Sequence, residues 1–217
     1  MMDDRIPAIS VIMATYNCEN TIDEAINSII NQTYSNWEFI ICDDCSIDNT
    51  FEKLNLYKDK YPDKFKIIKN KVNSKLPYSL NRCLELAKGK YIARMDGDDI
   101  SLPNRFEKQI SILKNNPNIQ VVGTAMRRFS NNEMADILNL KETPDKYTLR
   151  HSVPFFHATI MTYKNVYDTL GGYTVSKRTE RGQDVDLWFR FYHLGFEGKN
   201  IMDPLYLVRE DLAAIKR

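Results

Sequence analysis

Three aspartates surround one glycine at the end of a short apolar run, in the segment Asp-Gly-Asp-Asp at 96–99. The run before it, residues 91–95, is typical of a buried strand. A strand that ends this way places its carboxylates beyond the sheet edge, where α/β proteins bind ligands. Carboxylates this close repel one another unless a cation neutralises them. Because oxygen ligands suit Mg²⁺ or Mn²⁺ better than zinc, the segment predicts a site for a divalent cation and phosphate.

Two other interpretations of this segment have to be weighed. A solvated turn is one, because Asp and Gly are common turn residues, and the segment alone leaves it open. A calcium loop of the EF-hand kind is the other, with Asp96, Asp98 and Glu107 at ligand positions. That loop needs a further oxygen ligand where Ile100 stands and a glycine where Ser101 stands. The EF-hand interpretation is therefore excluded.

Acidic and aromatic side chains follow other predicted elements. Asp43 follows the apolar run 37–42, where an acid can accept hydrogen bonds from a ribose hydroxyl or a base N–H. Tyr16 follows the first apolar run and is interpreted either as a stacking partner for a planar ring or as a packing residue. Asp184 and Asp186 stand at the start of a helical pattern, where carboxylates also stabilise the helix dipole.

Apolar runs and amphipathic segments alternate through the first half of the chain. The order strand–helix–strand–helix–strand–helix–strand–acid–helix predicts a parallel sheet with right-handed crossovers and helices on both faces. Residues 21–24 form a capping-box pattern for the first helix, and Gly89 is expected to cap the third. Pro103 is expected in the first turn of the helix that follows the acids.

The pattern changes after residue 118. Strand-like segments occur at 119–123, 125–129 and 158–163, with a polar, irregular stretch over 130–150. A loop is expected over 174–182 and a helix over 183–194. With no linker or repeat, we expect one domain over 1–217, in which the second half adds a mixed extension to the sheet.

Composition narrows the class of protein. The 217 residues carry a formal net charge of +1, which gives no reason to expect nucleic acid as a partner. No apolar run approaches the ~20 residues of a membrane helix, and no export signal is apparent, so we expect a cytoplasmic protein without a transmembrane segment. The mildly amphipathic tail 211–217 is a candidate for peripheral contact with the inner face of the membrane.

Several familiar sites are disfavoured. Cys42 and Cys45 form a CxxC pair, but no second Cys or His pair has the spacing of a zinc site, so Cys42 is interpreted as a core residue. The chain contains neither Gly-x-Gly-x-x-Gly nor Gly-Lys-Ser/Thr. Ordinary dinucleotide folds and P-loop NTPases are therefore disfavoured.

Taken together, four motifs resemble one known family. In this chain they are residues 10–17 (SVIMATYN), 43–46 (DDCS), 96–99 (DGDD) and 183–188 (QDVDLW). Their order and spacing are similar to those of family 2 glycosyltransferases of the GT-A fold, in the inverting, non-processive bacterial group. The resemblance extends from about residue 7 to about residue 208. It implies a Rossmann-like α/β fold, a UDP-sugar donor and an acceptor hydroxyl on a surface glycan or a lipid-linked saccharide. It also implies that residues from about 1 to about 100 form a nucleotide-binding half of the domain and residues from about 101 to 217 an acceptor-binding half.

The resemblance also implies roles for individual residues. Asp184 is the expected catalytic base and Asp98 the expected ligand of Mg²⁺ or Mn²⁺. The remaining residues expected in the site are, for the donor, Thr15, Tyr16, Asp43, Arg94 and Asp96, and, for the cleft, Asp99, His157, Gln183 and Asp186. For His157 a purely structural role is the alternative, since a buried histidine is normally hydrogen-bonded. Family members commonly carry Glu where Gln183 stands, so contacts to the acceptor are expected to differ.

Two other function classes are weighed against a transferase. A sugar nucleotidyltransferase would begin with a glycine-rich, basic loop over the triphosphate, whereas the first loop here is Thr-Tyr-Asn-Cys at 15–18. A sugar-nucleotide-binding subunit without catalysis is disfavoured because Asp98 and Asp184 are both present. The polymerase signature Gln-x-x-Arg-Trp is absent, so synthesis of a long polymer is not expected.

Overall fold

The computed structural model describes residues 7–130, 133–179 and 182–210. Alternating strands and helices make up the first half, as predicted. They are β1 (Ile9–Thr15), α1 (Ile22–Ile30), β2 (Trp37–Asp43), α2 (Thr50–Lys60), β3 (Phe65–Lys69), α3 (Lys75–Leu86), β4 (Tyr91–Arg94), β5 (Ile100–Ser101) and α4 (Arg105–Asn115). The second half contains β6 (Ile119–Ser130), β7 (Glu133–Leu138), β8 (Met161–Tyr163), α5 (Lys164–Leu170), α6 (Gln183–His193) and β9 (Glu197–Arg209).

The described strands form one nine-stranded mixed sheet in the order β3-β2-β1-β4-β8-β6-β9-β5, with β7 paired to β6. Strands β3, β2, β1 and β4 are parallel to one another. Strand β8 runs antiparallel to both β4 and β6, whereas β6 and β9 are parallel. The predicted α/β fold, a mostly parallel sheet with a mixed extension, is confirmed.

Helices cover both faces of the sheet, and the strand β1 contributes to both cores because successive side chains point to opposite faces. Val11 lies in the core under α1, α2 and α4, while Ile12 lies in the core under α3, α5 and α6. Both are fully buried, and such burial contributes about 1.5–3 kcal/mol per large aliphatic side chain. Two apolar layers therefore fix where the carboxyl end of β1 lies.

Two predicted helix caps are wrong. The hydroxyl of Thr21 makes no capping bond to α1 and instead donates to the carbonyl oxygen of Gly97 at 2.9 Å, which ties α1 to the acidic segment. Helix α3 ends at Leu86, before Gly89. A Cβ atom on Gly89 would lie 2.5 Å from the backbone nitrogen of Ser10, so glycine is required by this close approach to β1.

Other boundaries differ from the sequence prediction. Helix α4 begins at Arg105, two residues after Pro103, and the short strand β5 was not predicted. The stretch expected to be irregular contains β7, and the segment 158–163 divides into a 3₁₀ turn (His157–Thr159) and β8. In the parts of the chain that the structure describes, no helix is long and apolar enough to cross a membrane. The tail 211–217 lies outside the described residues, as do positions 180 and 181 of the expected loop.

Candidate functional site

The carboxyl ends of β1, β2 and β4 meet at one edge of the sheet. Thr15 and Asp43 are directly paired across β1 and β2, and Ile12 is paired with Arg94 across β1 and β4. Three polar or acidic positions expected to bind the donor therefore lie at or just after the ends of neighbouring strands, namely Thr15, Asp43 and Asp96. Tyr16 is 47 % exposed at this edge, which excludes packing into the core, and its stacking role stays a prediction.

The loops at this edge hold each other in place. The backbone N–H of Asn17 donates to the Ser46 hydroxyl at 3.0 Å, and the Asn17 side-chain oxygen accepts from the N–H of Ile47 at 3.0 Å. Asn17, Cys45 and Lys75 adopt left-handed backbone conformations, with φ of 52°, 65° and 70°. Such conformations are costly for residues with a Cβ and persist when surrounding contacts enforce them. The first three loops at this edge are thus held in defined shapes.

The two adjacent acids after β2 have different environments. Both oxygens of Asp44 are engaged: they accept the N–H groups of Ser74 and Lys75 at 2.7 and 2.8 Å and the Asn70 amide at 2.6 Å. Asp44 thereby anchors the start of α3. Asp43 is fully buried; its Oδ2 accepts the N–H of Ser46, but its Oδ1 has no hydrogen-bond partner among the described residues. Only Asp43 retains a free acceptor for a ligand.

Arg94 and Asp96 form a two-pronged ion pair. The guanidinium nitrogens of Arg94 lie 2.8 and 2.7 Å from the two carboxylate oxygens of Asp96. Arg94 is buried, and burial alone would lower its pKa, but the Asp96 carboxylate raises that pKa above its usual value. Planar pairing of this kind fixes the orientation of a carboxylate. The structure therefore brings these two expected donor residues together.

Asp98 and Asp99 differ in exposure. Asp98 faces solvent at the edge of the sheet, and partial burial together with the nearby Asp96 raises its pKa. Asp99 is buried, and its Oδ1 accepts the backbone N–H of Arg209 at 2.9 Å. Burial, followed by the charges of Asp96 and Asp98, raises the pKa of Asp99 to about 7. Asp98 is consequently the most exposed acid of this segment.

Residues distant in the sequence hold the acidic segment, and the sequence prediction missed them. Arg209, at the end of β9, donates from Nε to the carbonyl oxygen of Asp98 at 2.8 Å and also pairs with Glu24 of α1. The Tyr206 hydroxyl accepts the backbone N–H of Asp96 at 3.1 Å. No local pattern distinguishes these two residues, because their partners are contributed by another part of the chain.

A buried arginine binds the backbone just before the acidic segment. Arg105 is fully buried and donates to the carbonyl oxygen of Arg94 at 2.7 Å and to Gln109 at 3.1 Å. Gln109 in turn donates to the carbonyl oxygens of Val122 and Thr159. Burial lowers the pKa of Arg105 to about 10. One sequence signal could have identified this network: Arg105 and Gln109 are polar residues four positions apart on the inward face of α4.

The acidic segment fits a divalent cation whose coordination is completed by a bound ligand. No group of three His, Cys, Asp or Glu side chains converges as a metal site in the described parts of the chain. Arg94 holds both oxygens of Asp96, so Asp98 is the acid left facing solvent. Mg²⁺ is typically bound through one or two carboxylates together with substrate phosphates and water. One accessible carboxylate beside two held ones is compatible with that mode of binding.

His157 lies in a chain of hydrogen bonds. Its Nε2 is 2.8 Å from the hydroxyl of Tyr173, which is 2.7 Å from the hydroxyl of Tyr167. Burial, and then the charge of nearby Arg94, lowers the pKa of His157 well below 6.5. The imidazole is therefore neutral near pH 7, and it has the satisfied partner that its structural interpretation requires.

The first turn of α6 carries the remaining expected residues. Asp186 accepts the Thr174 hydroxyl at 2.7 Å and the Arg190 guanidinium at 2.9 Å, which gives it a structural role. The carboxylate of Asp184 is partly exposed and has no hydrogen-bond or ion-pair partner among the described residues. The side-chain oxygen of Gln183 is buried, and the described residues provide no partner for it. Asp184 and Gln183 thus have capacity to bind a ligand.

The turn at His157 connects the acidic segment to α6. Arg94 donates its backbone N–H to the carbonyl oxygen of Ile160, directly after this turn. The His157 ring packs edge-on against Trp188 of α6, with ring centroids 6.3 Å apart. Trp188 lies one helical turn after Asp184. The structure therefore brings the acidic segment and helix α6, which carries the expected catalytic base, to the same region.

Comparison with known proteins identifies relatives. The model of the family "Glycosyl transferase family 2" matches residues 10–178. A Bacillus subtilis protein named EpsE and assigned to the glycosyltransferases is 47% identical over 211 residues, covering 97% of this chain and 76% of its own length. The Escherichia coli protein WfgD, named as a UDP-Glc:alpha-D-GlcNAc-diphosphoundecaprenol beta-1,3-glucosyltransferase, is 42% identical over 53% of this chain and 44% of its own length.

Solved structures share the fold. Staphylococcus aureus TarS (residues 1–349), crystallised with UDP, superimposes with a TM-score of 0.75 at 19% identity, over 94% of this chain and 60% of the TarS chain. The mannosyltransferase PcManGT of Pyrobaculum calidifontis, solved with GDP-Man and Mn²⁺, gives a TM-score of 0.69 at 20% identity, over 94% of this chain and 57% of its own. With the family match, the similarity to EpsE and the shared fold in agreement, the chain belongs to glycosyl transferase family 2 and is a glycosyltransferase of the GT-A fold.

Proposed function

We propose that this enzyme transfers one sugar, with inversion, from a UDP-sugar to a hydroxyl of a surface glycan or of a lipid-linked saccharide. UDP in the TarS structure and the UDP-Glc donor in the name of WfgD support the choice of donor. The diphosphoundecaprenol acceptor in the name of WfgD supports a lipid-linked acceptor in cell-envelope polysaccharide synthesis. A cytoplasmic location stays a prediction.

The observation that carries the donor assignment is a pair of unsatisfied polar atoms. The hydroxyl of Thr15 and Oδ1 of Asp43 are buried, and the described residues provide no partner for either. They belong to directly paired positions at the ends of β1 and β2. A buried polar atom without a partner costs about 1–3 kcal/mol, so a ligand that supplies donors is favoured here. A nucleoside has the N–H and hydroxyl groups that such a site requires.

Metal binding is assigned to Asp98. Its carboxylate faces solvent, while Asp96 and Asp99 are held by other groups. Mn²⁺ in the PcManGT structure supports a divalent cation at this kind of site. When bound, Mg²⁺ or Mn²⁺ supplies positive charge that stabilises a departing diphosphate. Arg94 keeps Asp96 oriented, and Arg209 fixes the backbone of Asp98.

Asp184 is assigned the proton transfer. As the acceptor oxygen forms its bond to the anomeric carbon, the bond from that carbon to the diphosphate oxygen breaks and UDP departs. The acceptor hydroxyl must lose its proton in this step, and a positioned carboxylate can accept it. A single displacement inverts the configuration of the anomeric carbon. Asp184 lies at the start of α6, across the His157 turn from the acidic segment.

A pair of variants tests this assignment. Asp184→Asn is expected to bind UDP as the wild type does and to lower transfer by about 100-fold or more, as loss of a general base does. Asp186→Asn, the matched control, is expected to lower stability by about 1–3 kcal/mol through its bonds to Thr174 and Arg190, with a smaller effect on the rate. Transfer from UDP-sugars to a panel of saccharide acceptors is measured by UDP release. Wild-type transfer by Asp184→Asn would refute the base assignment.

A further inference from the structure

A cleft of about 510 Å³ lies along the C-terminal half of α6 and has no assigned role. Its lining residues are Lys146, Tyr147, Leu149, Arg150, Phe189, Tyr192 and His193. An adjoining cleft of about 550 Å³ shares Lys146, Tyr147 and Tyr192 with it and reaches the first residues of β6 and β9. We call the two together the α6 groove. Since β6 and β4 are both antiparallel to β8, the groove extends to the sheet edge opposite the acidic segment.

Exposed aromatic side chains form one wall of the α6 groove. Phe189 is 59 % exposed and Tyr147 is 56 % exposed. Val185, four residues before Phe189 and next to Asp184, is also exposed, so an apolar stripe runs along α6 from the expected base into the groove. Aromatic faces carry negative π density and pack well against the C–H faces of sugar rings. This wall is suited to a saccharide.

The charges in the groove favour an anion. The cations Lys146 and Arg150 line the first cleft, and no carboxylate lies among its lining residues. In the second cleft the acids are Glu197 and Asp145, and Asp145 is already paired with Lys141 at 2.8 Å. The Arg150 guanidinium and the Lys146 ammonium lie 5.2 and 5.3 Å from the ring centroid of Tyr147, so cations and an aromatic face occur at one place. Arginine beside such a face is well suited to bind phosphate.

The floor of the groove has unused hydrogen-bonding capacity. Tyr192 lines both clefts, and its hydroxyl is buried without a partner among the described residues. A sugar hydroxyl or a phosphate oxygen can provide that partner. The groove therefore combines an aromatic wall, a cationic rim and an unsatisfied hydroxyl.

We propose that the α6 groove binds a phosphate-bearing saccharide, and that this ligand is the acceptor of the transfer proposed above. The identification of the ligand as the acceptor rests on that proposed function. His193 is nine residues after Asp184, which corresponds to about 14 Å along the helix axis. A single sugar does not span this distance. The acceptor is thus an extended saccharide whose phosphate lies at the end remote from the hydroxyl that is glycosylated.

The test uses two substitutions in the groove and two matched controls. Arg150→Gln removes a cation and Phe189→Ala removes an exposed aromatic ring. Lys58→Gln and Leu56→Ala make the same kinds of change on the exposed face of α2, where Leu56 is 68 % exposed. Because all four side chains are largely solvent-exposed, the variants are expected to fold like the wild type.

The probes are glucose 1-phosphate and N-acetylglucosamine 1-phosphate, compared with methyl glucoside, inorganic phosphate and phosphatidylglycerol vesicles. Both groove variants are expected to bind the sugar phosphates about tenfold more weakly than the wild type, as loss of a charge-assisted bond or a stacking ring predicts. Both controls are expected to bind them unchanged. Methyl glucoside is expected to bind more weakly than the sugar phosphates and to be insensitive to Arg150→Gln.

Several results would overturn the proposal. The wild type could show no saturable binding of either sugar phosphate, or the groove variants could bind the sugar phosphates as tightly as the controls do. Inorganic phosphate could bind as tightly as the sugar phosphates. A defect confined to vesicle binding would instead indicate a membrane contact. UDP affinity with Mn²⁺ is measured on the same proteins. Sugar-phosphate binding without UDP binding refutes the proposed function, whereas UDP binding without sugar-phosphate binding refutes only the groove.

Discussion

The guanidinium of Arg94 binds both carboxylate oxygens of Asp96, at 2.8 and 2.7 Å. Because of this pairing, three acids that look equivalent in the sequence have different environments in the structure. Asp96 is held by a side chain and Asp99 by the backbone of Arg209, so Asp98 is left facing solvent. An ion pair thereby determines which carboxylate is available to a metal.

Replacement of Arg94 should destabilise the fold. Arg94→Met leaves Asp96 without its cation beside Asp98, and breaking a buried ion pair typically costs about 3–5 kcal/mol. Because Asp96 is partly solvated, we expect a loss near 3 kcal/mol in the free energy of unfolding, measured by urea denaturation. Lys114→Met, at an exposed site on α4, is the control, with an expected change within about 0.5 kcal/mol. Equal stability of the two variants would show that the pair contributes little.

Arg209 should affect metal-dependent binding selectively. Arg209→Met removes the bond to the carbonyl oxygen of Asp98 and the ion pair with Glu24, but it leaves the backbone bond to Asp99. We expect UDP affinity with Mn²⁺ to fall about tenfold, the effect of losing one charge-assisted bond, while affinity without metal stays nearly unchanged. Glu24→Gln, which keeps the bond to Asp98, is the control. Equal loss with and without Mn²⁺ would contradict the proposed role of Arg209 in the metal site.

Substitution of the two adjacent acids at the end of β2 should affect stability and UDP affinity in opposite ways. Asp44→Asn replaces a carboxylate that accepts the N–H groups of Ser74 and Lys75, so it should cost about 1–3 kcal/mol of stability and spare UDP affinity. Asp43→Asn removes the carboxylate that is expected to bind the nucleoside. The affinity for UDP should therefore fall about tenfold or more. The Asp43 carboxylate also lies 3.7 Å from the ammonium of the partly exposed Lys69, and the same substitution removes this ion pair. Calorimetry and urea denaturation measure both quantities, and a UDP defect in Asp44→Asn alone would reverse the assignment.

His157 should contribute to the pH dependence of stability. Its pKa in the folded protein lies below the ordinary value of 6.5, so between the two values the unfolded chain binds more protons. The stability contribution is complete above about pH 6.5 and is lost as the pH falls toward the depressed folded pKa, by at most about 1.4 kcal/mol per pH unit.

The raised pKa values of Asp98 and Asp99 act in the opposite direction, so the difference between wild type and His157→Gln is the relevant quantity. The free energy of unfolding of the wild type is expected to decline more steeply than that of the variant from pH 7 to pH 5. Parallel curves would show that His157 is not responsible.

The first half of the fold could be predicted because its signals are local. Apolar runs and amphipathic segments gave the strand–helix order to α4, and the ends of the strands indicated where Asp43 and Asp98 lie. Helix α6 was likewise expected over nearly its observed length, and Asp184 lies in its first turn. The short strand β5 could not be predicted, since two residues carry no pattern and it exists by pairing with β9.

The supports of the site could not be predicted because they join distant residues. Tyr206 bonds to Asp96 across 110 positions, and Arg209 reaches Asp98 across 111. The capping-box prediction at Thr21 was wrong for the same reason: its hydroxyl donates to Gly97, a tertiary partner that local pattern does not include. Gly89 is required by a close approach to β1 and not by a helix end.

The metal-dependent donor site is tested by calorimetry of UDP binding, with and without Mn²⁺, on wild type and Asp98→Ala. We expect the wild type to bind UDP with Mn²⁺, and we expect omission of the metal or substitution of Asp98 to weaken UDP binding about tenfold or more. Lys114→Met serves as the folded control. Equal UDP affinity in wild type and Asp98→Ala, or no UDP binding by the wild type with either Mn²⁺ or Mg²⁺, would contradict the proposed donor site.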